Sequence, residues 1–387
     1  MSATLGAETR TRLVERRPKP PPLDECIRVA YPRITCSHAP AVCVRADGAG
    51  KAVEVRCLGI MGDPSAVASH AAGAVRGGAR VLVLRNTVRA AIETQLALEA
   101  ELGADHPALF RVGEVVTLHH ARFAAEDRRL LDAEVEKRFR KDGPTGPTVV
   151  VATQTLEQSL DLDGDLLITD VCPIDVLLQR IGRLHRHPRA RPLGFEAARC
   201  LVLTPEDGDL TPRLNPKGAR DGIGPDRAYS NVLAIEAARR LIDTGTSWTI
   251  PIDNRRLVEE GTHPDVLKQL AEHAGQAWMA HWSDQYGRTG QQRAQARDNS
   301  INFDESFGTI RWPDSAERIA TRLGAADLLL PLNLAFRSPF NCSITHLKVP
   351  RWMAPGQLPE EAVMLVMEDG RLRLGCKIFS YDRLGLR

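Results

Sequence analysis

The stretch Thr148–His187, TVVVATQTLEQSLDLDGDLLITDVCPIDVLLQRIGRLHRH, decides how the rest of this 387-residue chain is read. Val149–Ala152 and Leu166–Thr169 are apolar runs bounded by polar residues, the pattern of strands buried on both faces of a parallel sheet. The loop between them holds Thr153, Gln154, Glu157, Gln158, Ser159, Asp161 and Asp163. It lies at the carboxyl end of the first strand, where open α/β sheets place their ligands. A helix is expected next, running on through the arginines. At about 100° of turn per residue, Gln179, Arg183 and Arg186 fall within roughly 60° of one another, and Leu177, Ile181 and Leu184 gather on the opposite side. The leucine face should pack, leaving two guanidiniums in solvent without packing duty. Planar, permanently charged and bidentate, such a pair suits the charge that develops on a transferring phosphoryl group. For R-x-x-R taken alone, an ordinary solvated basic face is the plainer reading.

Gln179–Arg186, QRIGRLHR, resembles motif VI (Q-x-x-G-R-x-x-R) of superfamily-two helicases, and Ala152–Asp163, ATQTLEQSLDLD, resembles their motif V. The wording of both, with D-x-x-P-I-D between them, is similar to the signature helicase-nuclease of type I CRISPR interference. Ser2-Ala3-Thr4 has the wording of motif III. Arg80–Leu84, RVLVL, reads as a core strand, and Arg85–Val88, RNTV, after it resembles motif IV. Asn86 and Thr87 also fit a simple helix cap, or a phosphate site at a helix N-terminus. His119–Phe123, HHARF, again resembles the family, and a surface salt bridge from Arg122 to Glu126 or Asp127 is the plainer alternative.

The resemblance implies an α/β fold, a parallel-sheet RecA-like helicase domain followed by a smaller α+β accessory domain. It implies that Arg183 and Arg186 meet the γ-phosphate of ATP, that Gln179 orients the attacking water or those arginines, and that Asp161 touches the ribose. Ser2 and Thr4 would also lie by the nucleotide. Asn86, Thr87, Arg122 and Thr153, at strand ends, would follow a single DNA strand by its backbone without reading bases.

Lys plus Arg number 51 against 49 for Asp plus Glu, so net charge alone announces no nucleic-acid partner. With 43% hydrophobic residues and no apolar run near eighteen, a soluble chain is expected, and the N-terminus has no secretory signal. A cytoplasmic location follows. The eight cysteines form no C-x-x-C pair, and the histidines are scattered, so no metal site is expected.

Neither a phosphate loop, G-x-x-x-x-G-K-[ST], nor an acidic D-E-x-H-like motif occurs. The expectation is therefore that the first motor domain and the histidine-rich nuclease are supplied elsewhere, with ATP and magnesium engaged only together with them. Residues 1–24 read as the motif III remnant and a proline-rich connector, and 25–208 as the second RecA-like domain. Residues 209–300 read as a helical linker region and 301–387 as the accessory domain. Ile27–Thr35, Ala52–Cys57 and Val115–Leu118 look like further strands, with turns at Asp47–Gly50 and Asp369-Gly370. Two functions stay open. The chain is part of an ATP-dependent DNA translocase and nuclease of antiviral defence, with the missing half and the CRISPR surveillance complex as partners. Alternatively it is a non-catalytic module that binds nucleic acid or a protein through a degenerate helicase fold. No membrane partner is expected, and whether the chain alone is an enzyme is open.

Overall fold

Apolar runs at Lys51–Leu58 (β1), Arg80–Leu84 (β2), Thr148–Ala152 (β3), Leu166–Asp170 (β4) and Ala198–Leu203 (β5) pair in parallel. Ser247–Ile250 (β6) joins β1 antiparallel, giving the order β6-β1-β5-β4-β2-β3. The structure is a computed structural model and describes residues 4–15, 19–36, 39–44, 50–157, 161–215, 221–225, 227–298, 306–309, 327–354, 364–368 and 371–387. Every residue of β2, β3 and β4 is buried, as continuous apolar strands covered on both faces must be. The fold is α/β with a mixed, mostly parallel sheet.

The crossovers are helices at Pro64–Arg76 (α1), Val88–Leu102 (α2), Ala125–Phe139 (α3) and Ile174–Ile181 (α4). Asp63 caps α1 by accepting from the N–H groups of Ser65 and Ala66, and Pro64 supplies a first residue that needs no donor. Thr87 caps α2 through the N–H of Ala90. Val232–Thr244 (α5) then packs beside β1, and Asn254–Thr262 (α6), Pro264–Ala274 (α7) and Gln276–Asp298 (α8) follow.

Three expectations need correction. Val115–Val116 pairs with Arg111–Val112 in a hairpin outside the main sheet, because Gly113 at φ +56° folds the run back on itself. Just beyond it the chain meets β3, where His119 bridges Ala152. Strand structure within 27–35 is confined to Arg33–Ile34, since a helix, Leu23–Arg28, starts directly after the prolines. Finally, β6 comes from beyond residue 208, so the sheet does not close at the boundary expected there.

The tail has its own core, in which Leu330, Ile344, Leu347, Leu372, Phe379 and Leu386 are buried together. Leu328–Arg337 (β7) pairs with Ser343–Val349 (β8). Val366–Glu368 (β9), Arg371–Leu374 (β10) and Lys377–Phe379 (β11) form a meander, and Tyr381–Asp382 (β12) pairs with Gly385–Leu386 (β13). β9 and β10 pair across the turn expected at Asp369-Gly370; those two residues, and residues 47–49 of the turn expected over Asp47–Gly50, lie outside the described residues.

Polar contacts fasten this tail to the larger unit. The buried Asp127 carboxylate accepts from Ser338 (2.7 Å) and from the Tyr381 hydroxyl (2.5 Å). Arg383 makes a bidentate pair with Glu99 at 2.7 and 2.8 Å. His120 sits at 3.0 Å from the Leu384 carbonyl. Among the described residues no helix is long and apolar enough to cross a membrane.

Candidate functional site

α4 ends at Ile181, one residue before Gly182, so Arg183 and Arg186 lie in the turn after the helix and not on its face. This corrects the expected helical register. Two features end the helix. Lys51 of β1 donates to the carbonyls of Ile181 (2.9 Å) and Leu184, meeting acceptors that a C-terminus leaves open. His185 takes φ +45°, which no continuing helix permits.

Gly164 then holds the turn like a short strand. Its N–H donates to Arg183 O (2.9 Å), and its carbonyl accepts from His185 N (3.0 Å). A Cβ at this position would meet the Leu82 side chain at 3.1 Å, so glycine lets the turn approach the sheet. Asp163, fully buried, accepts from Arg186 N at 2.8 Å and pairs with Arg189 and Arg191. Burial pushes its carboxyl up, but the hydrogen bonds from Arg191 and Arg189 outweigh this and hold it below the usual range. Asp165, equally buried, pairs with the same two arginines. Four mutually neutralising charges thus fix the backbone from which Arg186 projects.

The side chains are less free than the sequence suggests. Arg183 is half-buried and donates to the carbonyl of Glu157 at 3.1 Å, which overturns its expected lack of packing duty. Burial, then the nearby Arg186, lower its pKa. Its Nε is buried with no hydrogen-bond partner. Arg186 is exposed and pairs with Asp161 at 2.6 Å, and His187 approaches the same carboxylate at 3.0 Å. Gln179 is exposed and donates to Thr4 at 3.2 Å, so the chain start does meet the α4 face. An open cleft beside them is lined by Thr4, Gly6, Glu8, Asp175, Gln179 and Thr262. Ser2 lies outside the described residues.

At the carboxyl edge of the sheet, the Asn86 side chain is buried and its amide donates to Val171 O at 3.0 Å. Its N–H donates to Asp170, whose other oxygen takes Arg85 at 2.9 Å. Thr153 is buried, and its N–H donates to His119 O. Thr87 is half-buried as the α2 cap. Arg122 is half-buried with its guanidinium 5.0 Å from the Trp352 ring centre. Asn86, Thr87 and Thr153 therefore share one edge, and the chain leaving it after His119 leads to Arg122.

Sequence reasoning passed over Lys51 and Arg180. Arg180 is fully buried, pairs with Glu157 at 2.7 Å and donates to Thr169, the Asp170 carbonyl and the Tyr229 hydroxyl. An arginine beside Gln179 reads as surface, and its one local clue is the apolar company of Leu177, Leu178 and Ile181. Through Glu157 it shares a partner with Arg183, tying the loop after β3 to the arginine turn.

Residues 77–189, which hold Asn86, Arg122, Thr153, Asp161, Gln179, Arg183 and Arg186, match the family described as "CRISPR-associated nuclease/helicase Cas3, C-terminal". The CRISPR-associated endonuclease/helicase Cas3 of Thermus thermophilus is 55% identical over 173 residues, 43% of this chain and 18% of that protein. Its Escherichia coli counterpart is 38% identical over 176 residues, 44% of this chain and 18% of that protein. A crystal structure of T. fusca Cas3 with ADP shares the fold, with a TM-score of 0.68 and 22% identity, covering 93% of this chain and 46% of that one. The chain thus spans less than half the length of that structure, and its matches to the two relatives span under a fifth of theirs. Over residues 77–189 the chain is thus similar to the C-terminal region of the Cas3 family of CRISPR-associated nuclease/helicases.

Proposed function

We propose that this chain acts as the second motor half of an ATP-dependent DNA helicase and nuclease of CRISPR defence. Arg183 and Arg186 serve as fingers to a nucleotide held mainly by the first motor half, with Gln179 and Asp161 beside them and the Thr4 segment completing the pocket. One observation carries the reading. A turn bearing two guanidiniums is fixed by Lys51, Glu157 and the buried Asp163, yet Arg183 Nε has no acceptor of its own. A phosphate oxygen would reach that buried donor only as the Arg183–Glu157 contact gives way, and the Arg186–Asp161 pair is exposed enough to exchange partners. ATP supplies the phosphoryl group whose transfer releases energy. This chain's residues orient it and offset its charge.

Among the described residues no three His, Cys, Asp or Glu side chains gather to hold a metal ion, so carboxylates for magnesium would come from the other half. Single-stranded DNA would run along the edge bearing Asn86, Thr87 and Thr153 toward Arg122. The buried Asn86 and Thr153 shape that edge, whose backbone and cap residues meet phosphates. Partners are then the first motor half with its nuclease, and the CRISPR surveillance complex.

The test combines the purified chain with a separately expressed fragment that carries the phosphate loop and nuclease. DNA-stimulated phosphate release by the mixture, and none by this chain alone, is expected. Turnover by this chain alone that survives purification, or none from a folded, associated mixture, overturns the reading.

A further inference from the structure

Trp352 is 72% exposed, the largest exposed aromatic side chain among the described residues. An indole costs free energy to leave in water, and an exposed aromatic ring offers a π-face on which a base can stack. This ring is also held in place. The Arg122 guanidinium stands 5.0 Å from its centre, the geometry of a cation–π pair, and Arg122 is itself half-buried. One face is thereby fixed and the other left open.

The neighbourhood is cationic. Asp327 is the acidic group that acts on Arg122, and Lys348 already neutralises it at 3.1 Å. Arg122 thus contributes a net positive charge beneath the ring. The position matters as much. The Thr153 N–H donates to His119 O at the carboxyl edge of the sheet, and Arg122 follows three residues later. Trp352 therefore stands off the same edge that carries Asn86, Thr87 and Thr153.

We infer that Trp352, seated on Arg122, is a stacking platform for one base of a single-stranded nucleic acid that leaves this edge. This rests on the proposed path for single-stranded DNA and adds to it a contact to a base. Every base has a π-face, so the platform needs no sequence preference. Because the arginine fixes the ring beforehand, little ordering remains to be done on binding. The tail then contributes to strand binding directly.

The test titrates the full chain with an oligothymidylate of roughly twelve nucleotides, within the usual span of single-strand sites, and with a strand of equal length lacking bases. Trp352 fluorescence should be quenched by the first strand. Trp352→Ala should weaken that strand about tenfold, as loss of one stacked base does, and Trp352→Phe should retain most of the affinity. On the baseless strand, wild type and Trp352→Ala should bind equally weakly. The salt dependence should not change, because no phosphate contact is removed. Binding of the thymidylate by Trp352→Ala within about twofold of wild type overturns the platform but leaves the strand path standing. An equal loss on the baseless strand overturns it as well. If the wild type binds neither strand at low salt, both the platform and the path fall.

Discussion

At the scale of single residues, Arg183 shows how a side chain can serve a turn and still offer a donor. Its bond to the Glu157 carbonyl holds the loop after β3 against the arginine turn. Arg183→Ala should therefore cost about 1 kcal/mol of stability, the net worth of one such hydrogen bond, measured by urea denaturation. Lys51 makes a second prediction with a defined sign. Burial chiefly lowers its pKa from 10.5 to about 8, with Asp163 pulling it back up and Arg186 and Arg191 pushing it down. Between these values the unfolded chain binds the proton and the folded chain does not, so stability rises with pH from about 8 toward 10. Lys51→Met should lack that rise in denaturation curves taken across this range. An unchanged slope would mean that another group titrates there.

At the scale of elements, the parallel strands β2, β3 and β4 are legible in sequence because every residue in them is buried and the runs are continuously apolar. The arginine pair is legible too, through its spacing from Gln179. Its backbone is not, because α4 is ended by Lys51 from a strand more than a hundred residues away. Arg180 escaped for a similar reason: its partners Glu157, Thr169 and Tyr229 converge only in three dimensions. The strand misplaced at Val115–Leu118 has the right composition, but the Gly113 turn takes its hydrogen bonds locally. The loop after it carries His119 and His120, both buried, with burial lowering their pKa values to about 4 and about 3. His120 accepts from Arg122 N and faces the Leu384 carbonyl, so its neutral form with the proton on Nε2 satisfies both. As pH falls below about 6.5 the unfolded chain takes protons first, and stability drops until the folded values are reached. Acid unfolding should start within that window, and His120→Asn should move it to lower pH.

In the whole molecule, two packed units are joined by buried polar contacts, with the arginine turn held beside Gly164 just before β4. Asp127 anchors the joint, because its carboxylate is buried and depends on Ser338 and Tyr381 for partners. Tyr381→Phe leaves one oxygen without its donor and should cost about 1–3 kcal/mol, seen as faster proteolysis within the tail while the sheet persists. On the proposed reading the arginine turn acts across an interface with the first motor half. Phosphate release by the chain mixed with a fragment bearing the phosphate loop tests this, comparing wild type, Arg183→Ala and Arg183→Lys. Turnover in Arg183→Ala should fall by about 10³ or more, as loss of a finger does in other phosphoryl-transfer enzymes, with single-stranded DNA binding retained and lysine rescuing poorly. Turnover of folded Arg183→Ala equal to wild type would make the arginine a structural residue and rule out its role as a finger.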